Sequence, residues 1–381
     1  MNLSFTDDQI RCQEEFRRFA DIHIAPGADA ADREERFPLE TVRQMANAGY
    51  LGSFLPHQWG GRAVDMITYG LIHEEIGKAC SSARSLITVH DMVCLAIWRW
   101  GTEEQRETWL RPMVRGDILA AFAITEPNAG CDLKGIETVV VQENGGYVLN
   151  GVKRWITFGQ VADLFLVLGR LAGEPTAFLV ERKAQGISVV PIVGLLGMRA
   201  SMLAQVNFSN CRIPGGRILG RPAFGLTSVI YTALGLGRYS VAWGSLGIAE
   251  ACLNACLSYT AQRTQFGVRL KEHQLIQGMI ADMVTEVKAA RLLCLSAGHF
   301  RQANDRRELG ETLAAKYYTS RLAMRAASDA VQIHGANGCS SEYPIQRYLR
   351  DAKVMEIIEG SNQMQQIMIA NHTYQNSKLA P

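Results

Sequence analysis

One carboxylate near the end of the chain has the surroundings of a general base. Glu359 follows Ile357 and Ile358 and precedes Gly360, in a segment that is otherwise predicted to be buried. A carboxylate is costly to remove from water unless it is paired or neutralised, and burial raises its pKa. A carboxylate with a raised pKa can accept a proton near neutral pH. The sequence therefore predicts a proton-abstracting base on an apolar wall.

Composition and charge exclude several classes of protein. The chain has 381 residues, of which 48% are hydrophobic and 20% charged, and its 39 basic and 37 acidic residues give a net charge of +2. This balance gives no electrostatic reason to expect nucleic acid or an anionic membrane as a partner. The N-terminus does not resemble a signal peptide, and no uninterrupted apolar run is long enough to span a membrane. We expect a cytoplasmic protein with two or three subdomains.

Cysteine and histidine give no sign of a metal site. The nine cysteines are scattered without a Cys-x-x-Cys pair, and the eight histidines are equally dispersed. Such cysteines are typical of small core side chains in a reducing compartment. We therefore expect neither disulfides nor a bound metal.

Three regions differ in their predicted secondary structure. Residues 1–118 carry helical signals, including two apolar helices over 66–101 that we expect the small residues 81–85 to separate. Residues 119–222 carry short β-rich runs, and residues 223–381 return to long helices over 238–262, 272–303 and 309–335. A helix that is apolar on most of its faces, like the first of these three, belongs inside a bundle.

The middle region is predicted to be an antiparallel sheet or barrel. A β-rich run over 138–142 is followed by a turn at 144–146, and Asn150-Gly151 predicts a second turn. Asn-Gly between β-rich runs is a strong hairpin signal. Further short strands are expected at 164–168, 177–180, 187–190 and 206–208.

Several motifs, in this order along the chain, resemble those of the acyl-CoA dehydrogenase family of flavoproteins. They are Thr125-Glu-Pro-Asn-Ala-Gly-Cys-Asp132, Asn150-Gly-Val-Lys-Arg-Trp-Ile-Thr157, Arg263-Thr-Gln-Phe-Gly267 with His273-Gln274, Gln332-Ile-His-Gly-Ala-Asn-Gly338 and Glu359-Gly-Ser361. The resemblance covers nearly the whole chain. It implies an α+β fold with an N-terminal α-helical domain (1–118), a middle antiparallel β-barrel or sandwich (119–222) and a C-terminal four-helix bundle (223–381).

The resemblance also implies FAD as the cofactor, shared between the subunits of a homo-oligomer that is a dimer or a tetramer. The residues implied to line the flavin ring are Phe122, Ile124, Thr125, Gly130, Cys131, Trp155 and Thr157. Those implied to contact the FAD of a neighbouring subunit are Arg263, Gln265, Phe266, Gln274, Gln332, Ile333 and Gly335, and the same segment adds Leu270 and His273. Ser361 and Gln363 are implied to meet the diphosphate and adenosine part.

For the reaction, the resemblance implies that Glu359 removes a proton α to a thioester carbonyl while the β-hydride passes to flavin. The enolate is stabilised in the family by the backbone N–H of the base and a ribityl hydroxyl of FAD. Some relatives carry the base on a bundle helix, just before the position of Arg238, but this chain has Gly237 there. The implied substrate contacts are Arg238, Tyr239, Trp243, Val89, Met92 and Gly360.

Departures from the family pattern bear on the carrier of the acyl group. The family commonly has an aspartate at the position of Gly235 and an arginine at that of Gln366. The segments 80–85, 237–244 and 355–361 resemble the dehydrogenases of methoxymalonyl extender-unit pathways, which act on acyl groups tethered to an acyl carrier protein. Such a substrate lacks the adenosine of CoA. The resemblance therefore implies a carrier-protein substrate in polyketide or nonribosomal peptide biosynthesis.

Other functions stay open at this point. The chain can be a catabolic dehydrogenase of a short or branched acyl-CoA that passes electrons to an electron-transfer flavoprotein. Prolyl-carrier oxidases and flavin monooxygenases are also near relatives. A non-catalytic protein that has kept the fold is a further alternative. The sequence leaves the electron acceptor, oxygen or a flavoprotein partner, undecided.

Overall fold

The first helix begins at a capping box. In the computed structural model, which describes residues 4–376, the Thr6 hydroxyl accepts a hydrogen bond from the Gln9 backbone N–H at 3.2 Å. The Gln9 side chain accepts one from the Thr6 N–H at 3.0 Å. This reciprocal pair satisfies two amide groups that a helix start would otherwise leave unbonded. The N-terminal helices are α1 Asp7–His23, α2 Ala28–Glu34, α3 Leu39–Asn47, α4 Met66–Ala79, α5 Ser81–Trp100 and α6 Glu103–Val114.

The break between the two apolar helices α4 and α5 is shorter than the sequence predicts. The chain leaves the helical conformation only at Cys80, whose φ and ψ are −159° and 115°. The residues at 81–85 form the first turns of α5 and are buried. The prediction that they separate the helices was therefore wrong, because one residue in the extended conformation, Cys80, is enough to end α4 and begin α5.

The middle region forms a mixed sheet, which corrects the expectation of a wholly antiparallel one. The strand order is β6-β7-β3-β2-β4-β5-β8, and β1 also pairs with β4. β1 and β2 both run parallel to β4, whereas the other pairs of this sheet are antiparallel. The strands are β1 Ala120–Ala123, β2 Val139–Glu143, β3 Gly146–Ile156, β4 Leu164–Leu171, β5 Glu174–Glu181, β6 Ile187–Pro191, β7 Ala204–Ile213 and β8 Ile218–Leu219.

One of the two predicted turns exists and the other does not. β2 and β3 form an antiparallel hairpin around Asn144 and Gly145, whose φ angles of 47° and 77° suit a two-residue turn. At Asn150-Gly151, however, β3 continues, and its register against β7 shifts between Leu149 and Gly151. An Asn-Gly pair can thus mark a bulge within a long strand rather than a turn.

The remaining elements form a helical bundle with a small hairpin. They are α7 Tyr231–Gln262, β9 Thr264–Gln265, β10 Val268–Arg269, α8 Gln274–Gln302, α9 Glu308–His334, α10 Ile345–Met355 and α11 Asn362–Asn376. Helices α7, α8 and α9 cover the three predicted long segments. Helix α7 is preceded directly by a π-helical turn, Gly225–Ile230. Together, as Gly225–Gln262, they form the one described helix that is long and apolar enough to cross a membrane, and 67% of its most apolar window is buried inside the protein. Burial to that extent is typical of a core helix.

Glycines let α7 approach α4 closely. A methyl group at Gly70 of α4 would lie 2.2 Å from Cε2 of Trp243 on α7. A methyl group at Gly77 would lie 3.1 Å from the Cα of Gly244. No side chain fits at these two positions without a displacement of the facing helix. This contact joins the N-terminal helices to the bundle.

Filling the closest of these contacts should destabilise the protein. We expect Gly70→Ala to lower the free energy of unfolding by about 1–3 kcal/mol, because the added methyl overpacks the indole of Trp243. Chemical denaturation of the purified variant measures this change. Gly278→Ala is the matched control, since Gly278 lies in α8 with no atom within 4 Å of an added methyl. That control should gain about 0.5–1 kcal/mol. Equal effects in the two variants would contradict the packing argument.

Candidate active site

The predicted base lies in a strained loop between α10 and α11. Glu359 has φ +56° and Gly360 has φ +89°. The left-handed conformation costs a non-glycine residue about 1–2 kcal/mol, so surrounding contacts must maintain it. Nε of Arg238 donates to the carbonyl of Glu359 at 3.1 Å, and the amide of Gln365 donates to the carbonyls of Glu359 and Gly360 at 3.3 and 3.0 Å. These bonds fix the backbone that carries the base.

A buried lysine of α9 holds the same loop from the other side. Nζ of Lys316 donates to the carbonyl of Gly360 and to Oδ1 of Asn362, each at 3.0 Å. The Ser320 hydroxyl donates to the same Asn362 oxygen at 2.9 Å. Burial lowers the pKa of Lys316 to about 8, although the negative charge of Glu359 opposes this. Lys316 is therefore a positioning residue that remains charged at neutral pH.

The carboxylate of Glu359 lies directly over α7. A methyl group at Gly237 would be 2.7 Å from Oε2 of Glu359 and 2.8 Å from Sδ of Met92. Glu359 as a whole residue is partly exposed, but its carboxyl end is the buried part. Burial raises the pKa of this carboxyl group above its usual value, while the charges of Arg238, Arg84 and Lys316 act in the opposite direction. The absence of a side chain at Gly237 makes the room that the base occupies.

The backbone N–H of Glu359 is available to a ligand. Among the described residues it has no hydrogen-bond acceptor, whereas the following loop amide of Asn362 donates to Glu356 O at 2.9 Å. A free N–H beside a base is suited to binding an oxyanion that develops next to it. The loop thus places a proton acceptor and a hydrogen-bond donor within one residue.

A buried ion pair supports the loop at 124–131. Nζ of Lys153 lies 2.6 Å from Oε1 of Glu126, and both side chains are buried. Lys153 also donates to the carbonyl of Ile124 at 3.2 Å, and the Thr138 hydroxyl donates to Glu126 at 2.6 Å. The N–H of Arg154 donates to the carbonyl of Thr125 at 2.8 Å. These contacts attach the loop to β3, the strand that carries Trp155.

The residues predicted to line the flavin ring offer a donor set that fits it. The N–H groups of Gly130 and Cys131 have no acceptor among the described residues, and a methyl group at Gly130 would meet no atom within 4 Å. Trp155 is 48% exposed at φ +64°, and the Arg154 guanidinium lies over its ring at 4.9 Å from the centroid, so the opposite ring face is the one that can stack on a planar group. Sγ of Cys131 lies 3.9 Å from Oγ of Ser361, which joins this loop to that of Glu359.

The remaining predicted contacts to the ring, and Gln363, which is predicted to meet the diphosphate and adenosine part, are distributed between core and surface. Phe122 and Ile124 are buried at the end of β1, and Thr157 is partly buried just after β3. Gln363 is exposed in the first turn of α11. None of these positions conflicts with the predicted role, which stays a prediction.

The other predicted cofactor residues form a second group at the far end of α9. The β9–β10 hairpin turns at Phe266 and Gly267, with φ +53° and +81°, and Phe266 is 96% exposed at its tip. Arg263 O accepts from the N–H of Leu270 at 2.8 Å, and Gln265 O lies 3.3 Å from Nε2 of His273. Gln274 is exposed at the start of α8.

The end of α9 packs beside this hairpin. The rings of Tyr259 and His334 stack at 4.1 Å, and Tyr259 lies one turn before Arg263. Gln332 and Gly335 are exposed there, and Ile333 is buried. Gln332 is sixteen residues beyond Lys316, about 24 Å along the helix. The predicted cofactor residues of one chain therefore form two separated groups.

Two predicted substrate contacts face away from Glu359. The Tyr239 hydroxyl donates to Met66 O at 2.6 Å, and Trp243 packs on Gly70 of α4. These side chains lie about 200–240° around α7 from Gly237, by 100° per residue. We correct the prediction accordingly. Arg238 and Gly360 lie in the site, Met92 packs at Gly237, and Val89 is buried one turn before Met92 on α5.

Several side chains of the site were not predicted from the sequence. Arg84 and Lys316 are buried charged residues in α5 and α9, whose other buried positions are mostly small or apolar, and Gln365 is a buried amide in α11. A charged residue at a core position of a helix was the available signal. The sequence pattern did not distinguish such a buried charge, because lysines and arginines on the surface of a helix occur at the same spacing.

A group of potential metal ligands outside the site is explained by packing. Single atoms of His90, Asp91 and Cys94 lie within 4.8 Å of one another, and all three residues are buried. Both ring nitrogens of His90 are engaged, Nε2 near Met113 O at 3.2 Å and Nδ1 near Ala120 N at 3.2 Å. Asp91 accepts from the Gly52 N–H at 2.7 Å. We therefore assign this group to the core.

Comparison with known proteins gives the family of this chain. Three family profiles match it: acyl-CoA dehydrogenase N-terminal domain over residues 6–117, middle domain over 121–211 and C-terminal domain over 225–374. The chain belongs to the acyl-CoA dehydrogenase family. It is 36% identical to a probable acyl-CoA dehydrogenase of Bacillus subtilis, over 97% of this chain and 99% of the relative. Members of the family are flavin oxidoreductases that act on CH–CH bonds.

Two solved structures are similar to this chain over nearly its whole length. Butyryl-CoA dehydrogenase from Megasphaera elsdenii matches with a TM-score of 0.95 and 32% identity, over 98% of this chain and 100% of the other. FkbI, a protein for biosynthesis of the methoxymalonyl extender unit of a polyketide, matches with a TM-score of 0.88 and 29% identity, over 96% and 99%. The comparisons thus confirm the predicted fold and the family, and leave the carrier of the acyl group to a proposal.

Replacing the base should abolish proton abstraction while the protein stays folded. We expect Glu359→Gln to lower kcat by roughly 10²–10⁴-fold, the typical contribution of a general base. Anaerobic bleaching of the flavin by a short acyl thioester measures this. Glu356→Gln is the matched control, because that carboxylate pairs with Lys353 on the surface and should leave the rate unchanged.

The pKa of Glu359 also predicts two pH dependences. Because the folded-state pKa is raised, wild-type kcat should rise with pH through a value above the usual range of a glutamate. The same shift favours folding below the unfolded-state pKa, and this contribution is lost as pH rises through the folded-state pKa. Glu359→Gln should therefore be at least as stable as wild type at pH 7, with the difference disappearing below about pH 4. A large loss of stability at pH 7 would contradict the assignment.

Proposed function

We propose that this chain is an FAD-dependent dehydrogenase that oxidises a short acyl thioester, carried by an acyl carrier protein. The observation that carries the proposal is the Glu359 loop. Its carboxylate is buried over Gly237 and its free N–H lies at the same residue, beside the Cys131 loop. A base and an oxyanion donor at one point are what α-proton removal from a thioester requires.

The residues of this chain would divide the work as follows. Glu359 accepts the α-proton, and its backbone N–H binds the thioester oxygen as charge develops there. Arg238, Gln365 and Lys316 hold the carbonyls of the loop, so that both groups keep their positions during the reaction. FAD, when bound, supplies the acceptor for the β-hydride. Gly130, Cys131, Trp155 and Thr157 would hold its ring, and Ser361 would meet its diphosphate and adenosine part.

The proposal of a carrier-protein substrate rests on one missing cation, one missing carboxylate and the likeness to FkbI. Gln366 replaces an arginine of the family pattern, and its amide donates to the hydroxyl of Tyr317 at 3.0 Å on the surface. Gly235 replaces an aspartate. These losses suit a phosphopantetheine arm without an adenosine group. FkbI is 29% identical over nearly the whole chain.

A catabolic acyl-CoA dehydrogenase is the second candidate. The likeness to butyryl-CoA dehydrogenase favours it, because that structure superposes with the higher TM-score of 0.95. In this case CoA carries the acyl group, and an electron-transfer flavoprotein would accept the electrons.

Matched substrates decide between the two carriers. The same short acyl groups should be loaded on an acyl carrier protein and on CoA, and intact masses followed for the loss of two hydrogens. We expect a kcat/KM at least tenfold higher for the carrier-protein thioester, because its protein surface adds contacts that CoA cannot make. Turnover of the CoA ester alone would establish the catabolic candidate. Purified protein without a flavin absorption band would overturn both.

We also propose that the protein is a homo-oligomer whose subunits share each FAD. The two groups of cofactor residues lie about 24 Å apart along α9, and the exposed Phe266 at the hairpin tip needs a partner surface. We expect light scattering to give a dimer or tetramer, and Phe266→Ser to lower both the oligomer fraction and the FAD content. Leu309→Ser is the control, an exposed apolar side chain at the start of α9. A monomer with full FAD content would contradict the proposal.

A further inference from the structure

The buried Arg84 has fewer hydrogen-bond acceptors than its charge requires. It is 1% exposed in the first turn of α5. One terminal nitrogen donates to the Thr88 hydroxyl at 2.8 Å, and the other meets only Sδ of Met355 at 3.8 Å. Nε has no partner in the described part of the chain. A guanidinium with unpaired donors is expensive to bury, so its retention calls for a ligand.

The neighbouring helix leaves room for this side chain. A methyl group at Gly244 of α7 would lie 2.2 Å from Cδ of Arg84 and 2.8 Å from its Nε. One turn along, the hydroxyls of Thr88 and Ser240 lie 3.0 Å apart. Further along, Met92 meets Gly237. The three contacts show that α5 and α7 run antiparallel, with Arg84 and the position of the base on the same seam.

Arg84 belongs to the site of Glu359. The charges of Glu359 and Asp351 both act on the guanidinium, whose pKa burial lowers to about 10. No carboxylate among the described residues forms a hydrogen bond with it, and Asp351 instead accepts from the Met198 N–H at 2.6 Å. Arg238 and Lys316, the other two cations near Glu359, donate to loop carbonyls. Of these three cations, Arg84 is the one with a fully buried donor, Nε, that has no partner among the described residues.

We propose that Arg84, whose guanidinium Thr88 positions, binds a carboxylate at the far end of the acyl group, so that the substrate is the half-thioester of a short dicarboxylic acid. This rests on the proposed function. A carboxylate oxygen supplies the acceptors that Nε and the second terminal nitrogen lack. The acyl group is short, because the Thr88 hydroxyl that Arg84 engages lies 3.0 Å from that of Ser240, which is three residues, or about 4.5 Å along α7, from Gly237 at the base. An apolar acyl end would leave the donors unpaired.

Pantetheine thioesters test this specificity independently of the carrier. The thioesters of pantetheine with succinyl, glutaryl and butyryl groups, and the succinyl thioester whose free carboxylate is a methyl ester, should be compared by anaerobic bleaching of the flavin in the holoenzyme. We expect the succinyl and glutaryl thioesters, which carry a free carboxylate, to react with a kcat/KM about 10- to 100-fold above that of the butyryl and methyl-ester thioesters. This factor is the range of a buried charge-assisted hydrogen bond. Isothermal titration of Glu359→Gln with the same esters measures binding without turnover, and should give the same order.

Arg84→Met separates recognition from stability. It should lower kcat/KM for the succinyl ester by about 10- to 100-fold and leave or raise that for the butyryl ester, a reversal that misfolding cannot produce. Thr88→Val, a milder change, should give a smaller shift in the same direction if Arg84→Met does not fold. Equal losses on both esters, or a wild-type preference for butyryl, would overturn the inference. Absence of bleaching by every pantetheine ester and by the same acyl groups on an acyl carrier protein would instead refute the proposed function.

Discussion

The left-handed backbone of Glu359 is the constraint on which the rest of the site depends. This conformation turns the carboxylate onto Gly237 and leaves the N–H of the same residue without an acceptor in the described structure. It persists only because side chains from three helices hold two adjacent carbonyls. Arg238 lies on α7, Lys316 on α9 and Gln365 on α11. The helices of the bundle therefore hold the Glu359 loop in place, and the chemistry depends on packing between helices.

The same dependence explains why glycine occurs so often along α7. Gly237 makes room for the base, and Gly244 makes room for Arg84 while its Cα meets Gly77 of α4. A side chain at either position would move a helix or a catalytic group. Since α4 and α5 belong to the N-terminal part of the chain, their distance from α7 sets the width of the site. Catalysis and the association of the helical regions therefore depend on the same packing contacts.

Local patterns predicted much of this fold, and failed where tertiary contacts decide. Capping at Thr6, the β2–β3 hairpin and the long helices follow from nearby residues alone. The parallel pairing of β1 and β2 with β4 involves strands that are distant in sequence, and no short-range signal encodes it. Glu359 was predictable because its motif is contiguous. Lys316 was not, because its role arises only when α9 meets the loop.

The charges around Glu359 suggest what the site is built to bind. Arg84, Arg238 and Lys316 each lower the pKa of the base, yet burial outweighs them. Burial lowers the pKa of each of the three in turn, so all three cations are costly to keep. The retention of Arg238 and Lys316 is explained by their hydrogen bonds to carbonyls of the Glu359 loop. The developing enolate has the backbone N–H of Glu359. Nε of Arg84 is the one donor of these three cations that is fully buried without a partner in the described structure, and a second negative charge on the substrate is the group that would engage it.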